Sequence, residues 1–268
     1  MSFSLDTIFT THTALPKNVG VDEIEPSVVL RPYIRCFWKY NDNTDVRIFR
    51  IIPDCCADII IPLDGSPSIF VGVSDKSFIT PYMGDVFGIR FYAWSVAPFL
   101  HIGLSEMFNG AVPIDSVLNN FSRVQNAIIE AQTTEQQVEL AEKYLLDLFD
   151  GKSSSDIMNG LYCTIKDNCR VTVNNLSDYC AVSKRTLERK FINSIGISPK
   201  MMIDLLRYQM LWQDCIKSRF SASDSAYKLG YYDEAHMYND FKKFHGIGFG
   251  EARAEYAMLS RFYNTVTE

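Results

Sequence analysis

Long apolar runs are missing from this chain. No stretch of its 268 residues approaches the roughly 20 apolar residues of a membrane span, and no basic-then-apolar leader opens it, so the expectation is a cytoplasmic protein without a membrane partner. Histidine is scarce. His12, His101, His236 and His245 are scattered without the spacing of a His/Cys zinc site, and no metal is expected. Neither a phosphate-cradling glycine loop nor a Gly-x-Ser-x-Gly elbow occurs, so no cofactor is expected either. The cysteine count of seven is odd, which argues against a complete disulfide framework and fits reduced, mostly buried thiols. Positive charge is short as well: 26 Lys and Arg stand against 32 Asp and Glu, a net charge of −6. A general basic surface is thereby excluded, and any phosphate contact must come from a few local side chains and be strongly salt-dependent.

The charge is unevenly placed. Residues 153–268 carry 15 Lys and Arg against 13 Asp and Glu, whereas the first 152 carry 11 against 19. Hydrophobic content of 47% and aromatic content of 13% suffice for real cores, and the length suits two domains. The expected division is 1–150, a β-rich sensor or dimerisation domain ending in helices, and 156–262, a DNA-binding domain, with Gly151-Lys152-Ser153-Ser154-Ser155 as linker.

Two similar patterns lie about fifty residues apart in the second part. In the first, Val173, Leu176, Tyr179 and Cys180 recur at helical spacing, Ala181-Val182 breaks the run, and Ser183 offers an N-cap for a second helix that buries Leu187 and Phe191. Small residues at Ser177 and Ala181 suit a close helix crossing. Gly196 then stops that helix, and Ser198-Pro199 opens another running to about Ser218, with Met202, Leu205, Leu206, Gln209, Met210 and Trp212 on its apolar face. The second pattern repeats the scheme: Gly230 suits a left-handed turn, Asp233 caps the next helix, and Met237, Phe241 and Phe244 form its buried stripe.

With Leu176, Ser183, Leu187, Arg189, Phe191, Gly196, Ser198-Pro199, Arg207, Ala226, Leu229-Gly230-Tyr231, Asp233, Phe241-Lys242-Lys243, Gly246 and Arg253 in this order, the last hundred residues resemble the AraC family of transcription regulators. The resemblance implies a seven-helix domain whose two reading helices enter major grooves of double-stranded DNA. Carried over by position, the base-reading residues are Arg185, Glu188 and Arg189, then Glu234, Ala235, Tyr238 and Asn239, while Lys184, Lys190, Lys242 and Lys243 fall where phosphates are met. The arginines can instead form a solvated face paired with Glu188. The second unit departs from the family pattern at Ser225, Met237, Asn239 and Gly248-Phe249, and its reading helix starts with two acids, Asp233 and Glu234.

Residues 28–92 read as short antiparallel strands at Tyr33 to Tyr40, Arg47 to Ile52, Asp58 to Leu63, Ser68 to Val73, Ser77 to Thr80 and Val86 to Tyr92. Helical patterns follow at Ala97 to Phe108, Phe121 to Ala131 and Glu135 to Phe149. The fold class is therefore α+β: a small antiparallel β-barrel or sandwich with following helices, then an all-α domain of two helix-turn-helix units joined by a long helix. Ile52-Pro53-Asp54, Asp58-Ile59-Ile60 and Phe87-Gly88-Ile89-Arg90-Phe91 are similar to segments of sensor domains found ahead of AraC-type reading domains, although Tyr92-Ala93-Trp94 replaces the usual Pro-Gly. Asp54, Asp58 and Arg90 are either ligand-binding groups or an ion pair that holds the sheet together, since an arginine within an apolar strand needs a carboxylate. Cys55-Cys56 reads as one thiol facing the core and one facing out; no basic residue adjoins them to make a nucleophile, and the chain is not expected to be an enzyme. Partners compatible with the reading are double-stranded DNA, a small-molecule effector, a second copy in a homodimer, and RNA polymerase. A degenerate regulator acting through protein contacts, with weak DNA binding, stays open as the alternative.

Overall fold

The computed structural model describes residues 21–41, 48–81, 84–100, 103–149, 155–216 and 221–264. His12, His101 and most of the linker expected at 151–155 lie outside them. The first part is a two-sheet sandwich rather than a closed barrel. Six antiparallel strands run in the order β1 (Val21–Ile24), β2 (Ile34–Tyr40), β7 (Val86–Tyr92), β4 (Cys56–Pro62), β5 (Ile69–Val71) and β8 (Ala111–Pro113), and β3 (Ile48–Ile51) pairs with β6 (Phe78–Pro81) in a second sheet. Strands β1 and β8 were not expected from the sequence. Each is a short edge strand of three or four residues, too brief to show an alternation of its own.

Strand β7 is buried along its whole length because both faces of the large sheet are covered. On one face Phe37, Ile59, Ile61, Phe70, Phe87, Ile89 and Phe91 pack with Phe121, Ile128, Ala141 and Leu145 of α1 (Phe121–Glu130) and α2 (Thr134–Leu148). The start of α2 is fixed by a reciprocal cap between Thr133 and Gln136. On the other face lie Cys36, Trp38, Tyr40 and Val86, with Ile51 of β3 packed against them. Gly88 sits opposite Trp38 in the register, and a side chain there would run into the indole ring. The bare backbone lets Trp38 cross β7, and its Nε1–H donates to Asp58 Oδ1 on β4 at 3.0 Å.

One helix expected from the sequence does not form. In place of Ala97 to Phe108 the chain makes two 3-10 turns, Ala97–Phe99 and Leu104–Met107. Gly103 costs helix propensity, and Phe99, Leu104 and Met107 are drawn into the core under the sheet. Cys55 and Cys56 are both buried, against the expectation of one in and one out; Cys55 takes φ +59°, a left-handed turn that rotates its thiol into the core.

The second part holds seven helices among the described residues: α3 (Ser155–Lys166), α4 (Val173–Tyr179), α5 (Lys184–Ile195), α6 (Pro199–Cys215), α7 (Ala222–Lys228), α8 (Glu234–His245) and α9 (Phe249–Asn264). Helix α6 is buried on nearly every side, so both units wrap one central helix rather than hanging from a spacer. A single hydrophobic core runs through α3 to α9 and continues into the β-rich part through Ile52, Cys55, Val73, Tyr92, Ala93 and Trp94. The Tyr92-Ala93-Trp94 segment is thus a docking surface for the helices, with the two aromatic rings stacked at 5.1 Å.

Candidate nucleic-acid interface

Each unit pairs a short helix with a reading helix across a tight turn. In the first, Thr172 and Asn175 cap α4 reciprocally, and Ala181 takes φ +51° in the turn. Ala181 is exposed, so it serves the turn, while Ser177, buried, lies at the helix crossing. Ser183 then accepts from Thr186 N to start α5, and Gly196, at φ +84°, ends it. The second unit uses the same devices: Ser221 caps α7, Gly230 turns at φ +73°, Asp233 accepts from His236 N, and Gly246 closes α8 at φ +81°. Leu187 and Phe191 on α5, and Met237, Phe241 and Phe244 on α8, are fully buried, which fixes the rotation of both helices.

That rotation turns one face of each helix outward. Lys184, Arg185, Glu188 and Arg189 on α5 are exposed and Lys190 is half-buried; on α8 Glu234, Ala235, Tyr238, Asn239, Lys242 and Lys243 are exposed. The structure therefore presents nearly every sequence-derived reading residue on a solvent face. Tyr238 is held edge-on against Phe249 at 5.3 Å, and Lys243 lies 4.8 Å above the Phe244 ring. Tyr232, which sequence reasoning left aside, is 93% exposed directly before the Asp233 cap, and its signal was an aromatic residue in the turn ahead of a reading helix.

The two helix starts differ electrostatically. Lys184 and Arg185 stand at the positive end of the α5 dipole, where cations cost helix stability on the order of 0.3–1 kcal/mol each. Asp233 and Glu234 stand at the matching end of α8, where acids stabilise the helix and repel phosphates. A local choice that opposes helix stability is expected where the residues serve a ligand instead. The first unit makes that choice and the second does not.

The spacing of the units is set by α6. Arg207 donates from Nη2 to Cys169 O at 2.9 Å ahead of the first unit, pairs with Asp204 at 3.3 Å, and lies 5.4 Å over the Tyr231 ring of the second. Lys228 of α7 reaches Asp214 at 2.9 Å. Deeper in, Trp212 and Tyr208 pack on Phe241, and Tyr208 shares a 2.8 Å hydrogen bond with His245. Burial, with Arg50 nearby, holds the His245 pKa down to about 3. The folded chain keeps this ring neutral while the unfolded chain takes up a proton below about pH 6.5, so stability should fall as pH drops from 6.5 toward 3, by at most about 1.4 kcal/mol per pH unit. Urea midpoints between pH 7 and 5 are expected to fall more steeply for the natural chain than for His245→Gln; parallel lines would remove His245 as the cause.

Asp54, Asp58 and Arg90 come together in the sandwich. Arg90, directly opposite Asp58 in the register, donates from Nε to Oδ1 at 2.9 Å and from Nη2 to Oδ2 at 3.0 Å. Its Nη1 lies 3.1 Å from Asp54 Oδ2 as an ion pair, off the line of a hydrogen bond. Asp54 also accepts from Cys56 N at 3.0 Å, and burial pushes its carboxyl above the usual range against the pull of Arg90. A cleft of about 410 Å³ opens elsewhere, lined by Glu23, Arg31, Arg35, Cys36 and Tyr92 among others. Among the described residues no group of His, Cys, Asp and Glu is placed to hold a metal ion, and no helix is long and apolar enough to cross a membrane.

Residues 22–113 match a family model described as "Domain of unknown function (DUF6597)", and residues 176–255 match one described as "Helix-turn-helix domain". No curated protein matches the chain in sequence. Solved structures of ToxT from Vibrio cholerae are similar to it at low identity. The O395 structure is 11% identical over 88% of this chain and 96% of its own, with a TM-score of 0.41. A 1.65 Å structure is 12% identical over 83% and 93%, with a TM-score of 0.42, and an unsaturated fatty acid-bound form from strain SCE256 is 11% identical over 87% and 92%, at 0.38. The helix-turn-helix match spans both units and, together with two capped helices whose outer faces meet solvent, defines a tandem helix-turn-helix domain of the DNA-binding class. That match agrees with the resemblance of the last hundred residues to AraC-type regulators.

Proposed function

We propose that this protein reads an operator in two adjacent major grooves, with α5 supplying most of the affinity and α8 a looser or altered sequence preference. The observation that carries this is the shared core around α6, which points both reading faces outward at one fixed spacing. Arg185 and Arg189 suit guanine edges, Glu188 cytosine and Asn239 adenine; Glu234, Ala235 and Tyr238 complete the second face, and Lys184, Lys190, Lys242 and Lys243 meet phosphates. A footprint is expected to show two protected major-groove faces per monomer, one helical turn or about 34 Å apart. Protection no better on promoter DNA than on scrambled DNA at low salt would instead favour a regulator acting through protein contacts.

We infer further that residues 1–150 and 156–262 act as a controlling and a reading domain. Asp54, Asp58 and Arg90 are engaged with one another, so a small effector fits better in the cleft lined by Arg35 and Tyr92. Tyr92 both lines that cleft and belongs to the core shared with the helices, which gives an occupant a direct mechanical path to them. A homodimer and RNA polymerase are the macromolecular partners this reading adds to DNA.

A further inference from the structure

The β-rich part touches both reading helices at the same place, their C-terminal ends. At α8 the backbone N–H of Ser77 donates to Phe244 O at 3.0 Å and the Ser77 hydroxyl to His245 O at 2.6 Å. These are end-of-helix carbonyls, which no N–H of the helix itself can reach. Gly246 makes room for the approach, since the Ser77 hydroxyl lies 2.5 Å from where its Cβ would be. Beside it Arg50 of β3 pairs with Glu255 of α9 at 3.3 Å, the arginine largely buried. At α5 the contact is of another kind: the Leu104 carbonyl lies 2.6 Å from where a Cβ on Gly196 would stand, a close backbone approach.

We propose that the β-rich part is a brace for the reading heads, with Ser77 and Arg50 as positioning residues for the second unit. It leaves the second reading face open, because Glu234, Ala235, Tyr238 and Asn239 are all exposed, and holds α8 from the far end. On its inner side α8 is packed on the rings of Tyr208 and Trp212 of α6, and Tyr208 also shares a hydrogen bond with His245. From the β-rich part, two directed hydrogen bonds to the end of α8 and an ion pair to the neighbouring α9 add angular restraint at that end. Among the described residues the end of α5 meets the β-rich part through the close approach at Gly196, and the end of α8 through Ser77, so the loss of the Ser77 and Arg50 ties should show in the second groove.

This inference rests on the two-groove reading, and the footprint of the unaltered full chain tests that reading first. Given two protected grooves, the double variant Ser77→Ala with Arg50→Gln is expected to need roughly tenfold more protein to protect the second-unit groove while the first-unit groove keeps its midpoint. Ser77→Thr, which retains the hydroxyl, should keep both midpoints, and Arg50→Glu combined with Glu255→Arg should regain what Arg50→Glu alone loses. Equal loss in both grooves, or no loss in either, overturns the brace. A single protected groove in the unaltered chain overturns the two-groove reading and the brace with it.

Discussion

Arg189→Ala is expected to weaken binding to the native operator by roughly 10- to 100-fold, because a bidentate arginine on guanine is worth about 1–3 kcal/mol of discrimination. Arg185→Ala should do the same, and the two residues, four apart on one exposed face of α5, should lose affinity at different base pairs. Asn239→Ala is expected to cost less than Arg189→Ala, since the face it belongs to opens with Asp233 and Glu234 and meets the phosphate backbone at a disadvantage. Lys184→Ala should differ in kind: affinity falls on every sequence alike, and the slope of binding against salt drops by about one counterion. Fluorescence anisotropy titrations on the footprinted operator, at two or more salt concentrations, separate these cases. A larger loss for Asn239→Ala than for Arg189→Ala would reverse the assignment of the leading unit.

The reading helices were legible because their limits are written locally. Ser183, Gly196, Ser198-Pro199, Gly230, Asp233 and Gly246 each act within one turn of their own position, and all sit where the structure puts caps and left-handed turns. The buried stripes of Leu187 with Phe191, and of Met237 with Phe241 and Phe244, then fixed which side chains face out. Three things were not local and were missed. The edge strands β1 and β8 exist through pairing with β2 and β5, not through any pattern of their own. The segment at 97–108 had helical periodicity but was interrupted at Gly103, and its apolar residues were pulled into the core. The docking of the sandwich on the helices depends on residues more than 150 positions apart, such as Ser77 with His245 and Gln209 with Pro53, which no spacing in the chain announces.

Arg90 carries the largest expected effect on stability. It is buried between two carboxylates, and Trp38 holds one of them in place across Gly88. Arg90→Met keeps much of the volume and removes the cation, which leaves Asp58 and Asp54 without a counter-charge in the sandwich; breaking a buried pair in this way costs about 3–5 kcal/mol. The loss should also be pH-dependent in a definite direction. Asp54 already has a raised pKa with Arg90 present, and removing the cation raises it further. The folded variant then binds more protons than its unfolded chain over the interval above the ordinary carboxylate pKa, so its stability falls as pH rises and recovers as pH drops toward 5. The opposite slope from His245 is common to both proteins and cancels when the variant is compared with the natural chain at each pH. Adding Asp54→Asn and Asp58→Asn to Arg90→Met should restore a good part of the loss, because a neutral cluster carries no uncompensated charge. Urea denaturation at pH 8, 7, 6 and 5 measures all of this. A difference that stays constant across that range would mean the cost of Arg90→Met lies in packing alone, and would return Asp54, Asp58 and Arg90 to the role of groups held ready for a ligand.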